Sequence, residues 1–337
     1  MSDDEARTDG GITEEDIFGT ADDSDRAQTS PAERFQRLMD AYFLTPMRIA
    51  WDDWRARIGG IGLILYILMG TLGVMIVPAP ELNEFPRYMG PFVDFGAPLG
   101  TDNLGRSIGK QIVHATPAML KIALAGVSFS VGLGTLVGFI SGYKGGTLDA
   151  VTMTFTDVFI TLPGLPLIMV LASIFPPEDP FIVGMVLSIG RWAGLARTLR
   201  SQVLTLREED FVEAARAMGL STTTIIGQEL IPKLAPYILV NAALSARGVI
   251  QASVGLYFLG ILPFGTLNWG IMMNFAYQQG NAVSSPGLAG HWLLWPTLAL
   301  SGLTFVLVLF SQGMDRVFNP RLRARHSDTA PDDGGEA

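Results

Sequence analysis

Apolar runs of about twenty residues recur six times along this chain, separated by short charged, glycine-rich or proline-rich stretches. The first runs from Ile58 to Val77 and stops at Pro78. At about 1.5 Å rise per residue, such a run crosses a hydrocarbon core of roughly 30 Å, so each one predicts a membrane-spanning helix. The second covers 118–142 and closes on Gly142-Tyr143-Lys144-Gly145-Gly146. The third lies within 153–175. Its Pro163 and Pro166 predict a kink, because proline removes a ladder donor and crowds the preceding turn. The fourth covers 181–199, the fifth 235–256 and the sixth 292–312. The fold class this predicts is an all-α polytopic membrane protein with six transmembrane helices over 58–315.

The flanks read differently. Residues 1–32 form an acidic tail rich in Asp, Glu, Ser, Thr and Gly, and 316–337 turn from basic to acidic. Both are too polar to build a core, and their acid content would suit a high-salt cytoplasm. Between the first tail and the first span, 33–57 mixes Phe35, Leu38, Phe43, Met47 and Trp51 with Arg34, Arg37, Arg48 and Arg55. That mixture predicts an amphipathic lead-in whose arginines meet lipid headgroups.

Charge sharpens the picture. The chain is 49% hydrophobic and 16% charged, against about 25% charged in ordinary soluble domains. Residues 248–314 hold no Asp, Glu, Lys or Arg at all, which fits spans and a quiet loop and not a soluble surface. If the N-terminus is cytoplasmic, seventeen lysines and arginines fall on inner segments. Only three, Arg87, Arg106 and Lys110, fall on outer loops. The bias predicts a cell-membrane protein with both termini inside. The absence of cysteine excludes disulfide, thiol-nucleophile and thiolate-metal chemistry. No basic patch lies away from membrane-flanking positions, so nucleic acid is not a partner.

One polar stretch interrupts the spans. Residues 206–219 predict a short helix, with Glu208, Glu209 and Asp210 in its first turn, where the dipole favours acids. Phe211, Ala214, Ala215 and Met218 recur at three- and four-residue spacing as an apolar stripe. Gly219 stands where a C′ residue with positive φ would end the helix. Ser221 then caps a second helix over 222–229, and Pro232 breaks the pattern before the fifth span. Small Ala214 and Ala215 allow close approach to a partner's groove, with Glu213 and Arg216 making charged contacts at its rim.

Glu213-Ala214-Ala215, then Gly219, then Ile231-Pro232 resemble the coupling motif of membrane subunits of binding-protein-dependent ABC importers. More narrowly, the chain is similar to the second permease of the dipeptide/oligopeptide and nickel group, the DppC/OppC type. The same resemblance is carried by Leu99–Arg106, Gly142–Gly146, Thr156-Asp157-Val158-Phe159, Phe211–Arg216, Phe258-Leu259-Gly260, Trp269-Gly270, Gly313, Asp315 and Asn319-Pro320-Arg321. Together these span about 50–325. The resemblance implies a type I importer permease fold, MetI-like, with cytoplasmic coupling helices at about 206–229. It implies four partners: a second DppB/OppB-like permease, two DppD/DppF-like ATP-binding subunits that carry ATP and Mg, and an extracellular solute-binding protein. The cargo it implies is short peptides, with nickel or another small solute as the alternative. Phe211, Glu213, Ala214, Ala215, Arg216, Gly219 and Pro232 are then the residues expected to couple ATPase motion to the spans. This chain itself would be non-catalytic and without cofactor.

The remaining charges carry separate expectations. An arginine at mid-span costs about 2.5–3.5 kcal/mol on insertion scales, so Arg247 is expected to face protein or water. It would either line the path, receiving a peptide carboxylate, or pair at a subunit interface. Arg191 is expected to snorkel to the membrane edge, and Asp157 to sit at the mouth of the third span. Asp102 and Arg106, four apart, form an ion pair that orders an outer loop facing the binding protein. Trp292 and Trp295 are expected at headgroup level. Gly105–Lys110 is one residue short of a phosphate-binding loop and lacks the following Ser/Thr, which argues against nucleotide binding. An ion-coupled secondary transporter would need a carboxylate deep in a span, and none is present.

Overall fold

The structure is a computed structural model that describes residues 51, 53–174 and 176–318. The acidic tail 1–32, most of the lead-in 33–57 and nearly all of 316–337 lie outside the described residues, as does Asn319-Pro320-Arg321. Among the described residues the chain is helix and loop, with one isolated bridge between Thr101 and Ser107.

Among the described residues, four helices are long and apolar enough to cross a membrane unbroken: Trp54–Ile76, Ile108–Lys144, Thr222–Phe258 and Pro286–Asp315. Two bent pairs meet the same test. Gly146–Thr161 and Gly164–Ile174 meet at 88°, and Pro180–Leu187 and Arg191–Leu206 at 53°. Taking each bent pair as one crossing gives the six spans expected.

We label the helices in chain order. Helix α1 is Trp54–Leu68, continued through a π-turn at Met69–Gly73 into α2, Val74–Ile76. Asp53 Oδ1 accepts from the amides of Arg55 and Ala56 at 2.8 and 3.2 Å. This cap starts the first span four residues earlier than expected, inside the lead-in. Helix α3 is Ile108–Lys144. Helices α4, Gly146–Thr161, and α5, Gly164–Ile174, form the first bent pair. The break falls where two prolines placed a kink. Leu162, before Pro163, is driven to ψ 130°, because the residue preceding proline is pushed out of the helical region.

Helix α6, Pro180–Leu187, opens on Asp179, whose Oδ1 accepts from Phe181 N at 2.7 Å, with Pro180 in the first turn. Helix α7, Arg191–Leu206, follows after a turn at Ser188–Gly190. The fourth span is therefore broken where a continuous helix was expected; the break, Ser188-Ile189-Gly190, carries no proline. Next come α8, Asp210–Ala217, and α9, Thr222–Ile225. A π-turn at Ile226–Leu230 then leads into α10, Ile231–Phe258. Pro232 therefore does not break the pattern. It sits in the first turn of α10, just past the widened turn, where its missing N–H is tolerated.

Helix α11, Trp269–Gln278, occupies what read as a quiet loop. Its N-cap Asn268 accepts from Ile271 N at 3.0 Å, and Asn274 Nδ2 donates to the terminal carbonyl of Phe258 at 2.7 Å. A side chain at Gly270 would meet Tyr257 Cβ at 2.6 Å, so α11 lies tight on the end of α10. Trp269 is buried beneath it and donates Nε1 to Ile112 O at 3.3 Å. Helix α12, Pro286–Phe318, ends the described chain. Trp292 is 0% exposed, so it is a core residue of α12 and not a headgroup anchor.

Helix α3 packs on α6, α7 and α10, while α12 packs on α1, α10 and α11. Small residues set the α3–α7 contact. An added Cβ at Gly134, Gly138 or Gly142 would lie 2.9, 2.8 and 2.8 Å from the carbonyl oxygens of Trp192, Ala196 and Arg200. A four-residue period on both helices thus brings backbone to backbone, as small-residue helix contacts in membranes do. Gly132, from the same glycine-rich run, meets nothing within 4 Å and is not part of this contact. Gly138→Leu is expected to cost about 2 kcal/mol by overpacking. Thermal unfolding of the detergent-purified protein should show it clearly, while Gly132→Leu, as the control, should leave the transition in place.

Candidate functional site

Two features stand out: the compact knob α8–α9 at one end of the spans, and a cavity among the bent helices.

The knob is built by local rules. Asp210 and Glu213 occupy the first turn of α8. Gly219 adopts φ +77°, and two closing bonds follow: Gly219 N to Arg216 O at 2.9 Å and Leu220 N to Ala215 O at 3.1 Å. This pair of bonds satisfies the last carbonyls of α8. Ser221 Oγ then accepts from Thr224 N at 3.2 Å and starts α9. The helix is shorter than the expected 206–219, since α7 runs on to Leu206 and a turn separates the two.

The packed face also differs from the expected stripe. Val212 and Ala215 are 0% and 2% exposed and share an apolar cluster with Phe139, Leu199, Val203 and Leu230. Phe211 is only half-buried, Ala214 is exposed, and Met218 is 72% exposed. Of the expected stripe, Ala215 is buried and Phe211 packs against the same cluster, while Ala214 and Met218 face outward and Val212 takes their place. The outer face therefore presents Glu213, Ala214 and Met218.

Charged groups fasten the knob to the spans. Arg216, expected at a partner's rim, lies over Tyr143 at 5.2 Å and donates Nε to its hydroxyl at 3.2 Å. Tyr143 lies in the last turn of α3, just before Gly145 and Gly146, which both take φ +65°. Arg207 Nη1 donates to Gly142 O at 3.0 Å in the same turn. Lys233 Nζ sits 3.2 Å from the centre of the Phe211 ring and 3.9 Å from Glu209. Helix α9 also runs without interruption into α10. The knob is thus joined to α3 and α10 through packed contacts.

Two ion pairs strap α4 to α7. Asp157 pairs with Arg197, and Asp149 pairs with Arg200, whose Nε lies 2.8 Å from Asp149 Oδ1. Asp157 was singled out from sequence; Asp149 was not. An acid in the first turn of a helix is explained by the dipole alone, so nothing local marks its long-range partner.

The cavity is an open cleft of about 750 Å³ between α3, the α4–α5 break, the α6–α7 break and α10. Its polar wall residues are Ser130, Arg191, Thr198, Tyr237, Asn241 and Ser245. Ser130 and Ser245 are hydrogen-bonded at 2.6 Å, and Asn241 Nδ2 donates to Tyr237 O at 2.8 Å. Arg191, expected to snorkel, has a protein partner instead of standing free. It stands at the α6–α7 break, exposed on the cavity wall, and donates Nη2 to Gly248 O at 3.0 Å. An added Cβ at Gly248 would come within 2.8 Å of the guanidinium carbon, so a side chain there would displace the arginine. Arg247 is not on this wall; its Nε is buried without a hydrogen-bond partner among the described residues.

At the other end, the 99–106 stretch folds around Asp102, which is 0% exposed. Asp102 Oδ1 accepts from the amides of Leu104 and Arg106, both at 2.9 Å. Its Oδ2 accepts from Arg106 Nε at 2.7 Å and Gln111 Nε2 at 3.0 Å. The expected Asp102–Arg106 pair exists, but the acid lies inside the loop and not on its surface. Thr101 O bonds His291 Nε2 at 3.0 Å, tying the loop to α12. Phe92, Val93 and Phe95 form the exposed tip.

Residues 134–324 match the family described as binding-protein-dependent transport system inner membrane component, and the chain belongs to that family. The chain is 30% identical over 247 residues to the oligopeptide transport system permease protein OppC of Lactococcus lactis subsp. lactis (strain IL1403), covering 73% of this chain and 82% of that one. It is 27% identical over 286 residues to the dipeptide transport system permease protein DppC of Bacillus subtilis (strain 168), covering 81% and 86%. It is 28% identical over 277 residues to the nickel transport system permease protein NikC of Escherichia coli (strain K12), covering 81% and 97%. The chain is thus a multi-pass membrane permease subunit of an ABC importer.

Proposed function

We propose that this chain forms half of the translocation path of an ATP-driven importer for short peptides and transmits the motion of a separate ATPase to that path. The observation that carries the reading is the knob. It is anchored on its inner side by Val212 and Ala215, bound to α3 through Arg216 and Tyr143, and continuous with α10. Its outer face offers Ala214 and Met218 beside the charge of Glu213, a small apolar surface with a charged rim that suits the cleft of a soluble subunit.

In this reading both termini and the knob face the cytoplasm, and each permease of a pair rests on one of two ATP-binding subunits that hold ATP and Mg. Nucleotide-driven closure of those subunits moves both knobs together, and the spans follow as rigid bodies. Phe211 positions Lys233 at the base of the knob, and Pro232 marks where the knob joins α10. The chain performs no phosphoryl transfer. The loop built on Asp102 and Arg106 receives the extracellular binding protein, with Asp102 holding the loop's shape and the exposed tip meeting the partner. Arg247 completes its hydrogen bonding at the interface with the second permease. Two of the three relatives above are named for peptides and one for nickel, so nickel import by the same machinery is the second reading.

The test is purification of the tagged chain after expression with its neighbouring genes. A second permease and two ATP-binding subunits should come with it, and vesicles holding the complex should take up labelled short peptides only with ATP inside. Solute movement by this chain alone under an ion gradient would overturn the reading in favour of a secondary transporter. Uptake of nickel and not of peptide would decide for the second reading.

A further inference from the structure

We propose that Arg191 is a carboxylate-receiving subsite of the cavity, taking the C-terminal carboxylate of the peptide as it passes; this rests on the peptide-importer reading above. The cavity, at about 750 Å³, falls within the roughly 300–1,000 Å³ range of small-ligand sites. Among the described residues its walls carry no Asp, Glu or His, and Arg191 is their one cationic side chain. An arginine inside a membrane domain marks a path when it faces a cavity and keeps donors to spare. Arg191 meets both conditions. One guanidinium nitrogen is held by Gly248 O at 3.0 Å, which fixes the group's direction, and the rest of the planar fork remains for a ligand.

The surroundings fit a peptide end in particular. Ser130, Ser245 and Asn241 supply hydroxyl and amide groups on the facing walls, while Leu162, Leu165 and Leu187 supply apolar surface for side chains. A guanidinium with no acid beside it repels a bare divalent cation and attracts a carboxylate. The glycine opposite is part of the device. Gly248 alone lets the fork lie on the backbone of α10, and a methyl group there would push it off its carbonyl.

The experiment uses the complete importer in vesicles, with its binding protein outside and ATP inside. Two probes are compared at concentrations that saturate the binding protein: trialanine and its C-terminal amide. In wild type, trialanine uptake should exceed that of the amide. Arg191→Leu should lower trialanine uptake about tenfold or more, the worth of one charge-assisted hydrogen bond, and leave amide uptake within about twofold. Arg191→Lys should retain part of the preference. Gly248→Ala, which keeps the arginine but displaces it, should shift the ratio of the two probes in the same direction as Arg191→Leu.

Equal wild-type uptake of both probes, or an equal fall of both in every variant, overturns the carboxylate subsite and leaves the peptide importer standing. If wild type takes up neither probe while its binding protein still stimulates ATP hydrolysis, the peptide reading fails and the subsite fails with it.

Discussion

Gly219→Pro is expected to leave the spans inserted while uncoupling them from the ATPase. Gly219 holds φ +77°, and its N–H donates to Arg216 O at 2.9 Å. Proline fixes φ near about −65° and has no N–H, so both features are lost, at a cost of about 3 kcal/mol or more. Proline also disfavours the helical conformation of the residue before it, and Met218 is at φ −73°, ψ −2°. The damage falls on the turn that aims α9 relative to α8. The spans, packed through α3, α7 and α10, do not depend on it. Recovery of ATP-binding subunits with the tagged permease should fall about tenfold or more, and binding-protein-stimulated ATP hydrolysis should fall with it. Gly219→Asn is the control, since asparagine tolerates the left-handed conformation. Glu213→Arg, which reverses the charge on the exposed face, should weaken the same association without altering the fold. Unchanged recovery and unchanged stimulation in Gly219→Pro would remove the knob's coupling role.

Asp102→Ala should be the most damaging single change at the opposite end. Four donors, from Leu104, Arg106 twice and Gln111, converge on a carboxylate that is 0% exposed. Removing it leaves these donors unpaired, a loss of about 3 kcal/mol. That is the lower end for a broken buried pair, because part of the Arg106 side chain reaches solvent. Asp102→Asn keeps one acceptor oxygen and should lose less. Two readouts separate the loop from the spans: the thermal transition of the purified protein, and stimulation of ATP hydrolysis by the binding protein. Both should fall, while basal hydrolysis persists. A transition that does not move would mean the loop holds its shape without this residue.

Several parts of the site were legible because they obey local rules. The end of α8 at Gly219 and the cap at Ser221 follow from backbone chemistry within a few residues. The kink at Pro163 is equally local. The errors came where a choice depended on distant neighbours. Both Phe211/Ala214/Ala215/Met218 and Val212/Ala215 are compatible with helical spacing, and the packed face was chosen by Phe139, Leu199 and Val203, each on another helix. The seat of Arg216 on Tyr143, seventy-three residues away, was likewise invisible to spacing. Trp292 read as a headgroup anchor because its burial depends on Gly280, where an added Cβ would lie 2.8 Å from the indole ring. Arg191 and Arg247 looked alike as isolated cations in apolar runs. Which of them faces a cavity depends on the bend at Ser188–Gly190, and no proline announces it.

Membrane crossing, the number of apolar runs, the charge bias across them and the family motif were written in the sequence alone. These follow from the length of apolar runs against the thickness of a hydrocarbon core, and from short-range backbone rules. The helix faces, the buried helix α11, the strap of Asp149 and Arg200, and the position of Arg191 on a cavity wall were decided only by tertiary structure. The reason is that burial is a property of pairs of surfaces: a residue's spacing says which neighbours share its face, and only packing says what that face meets.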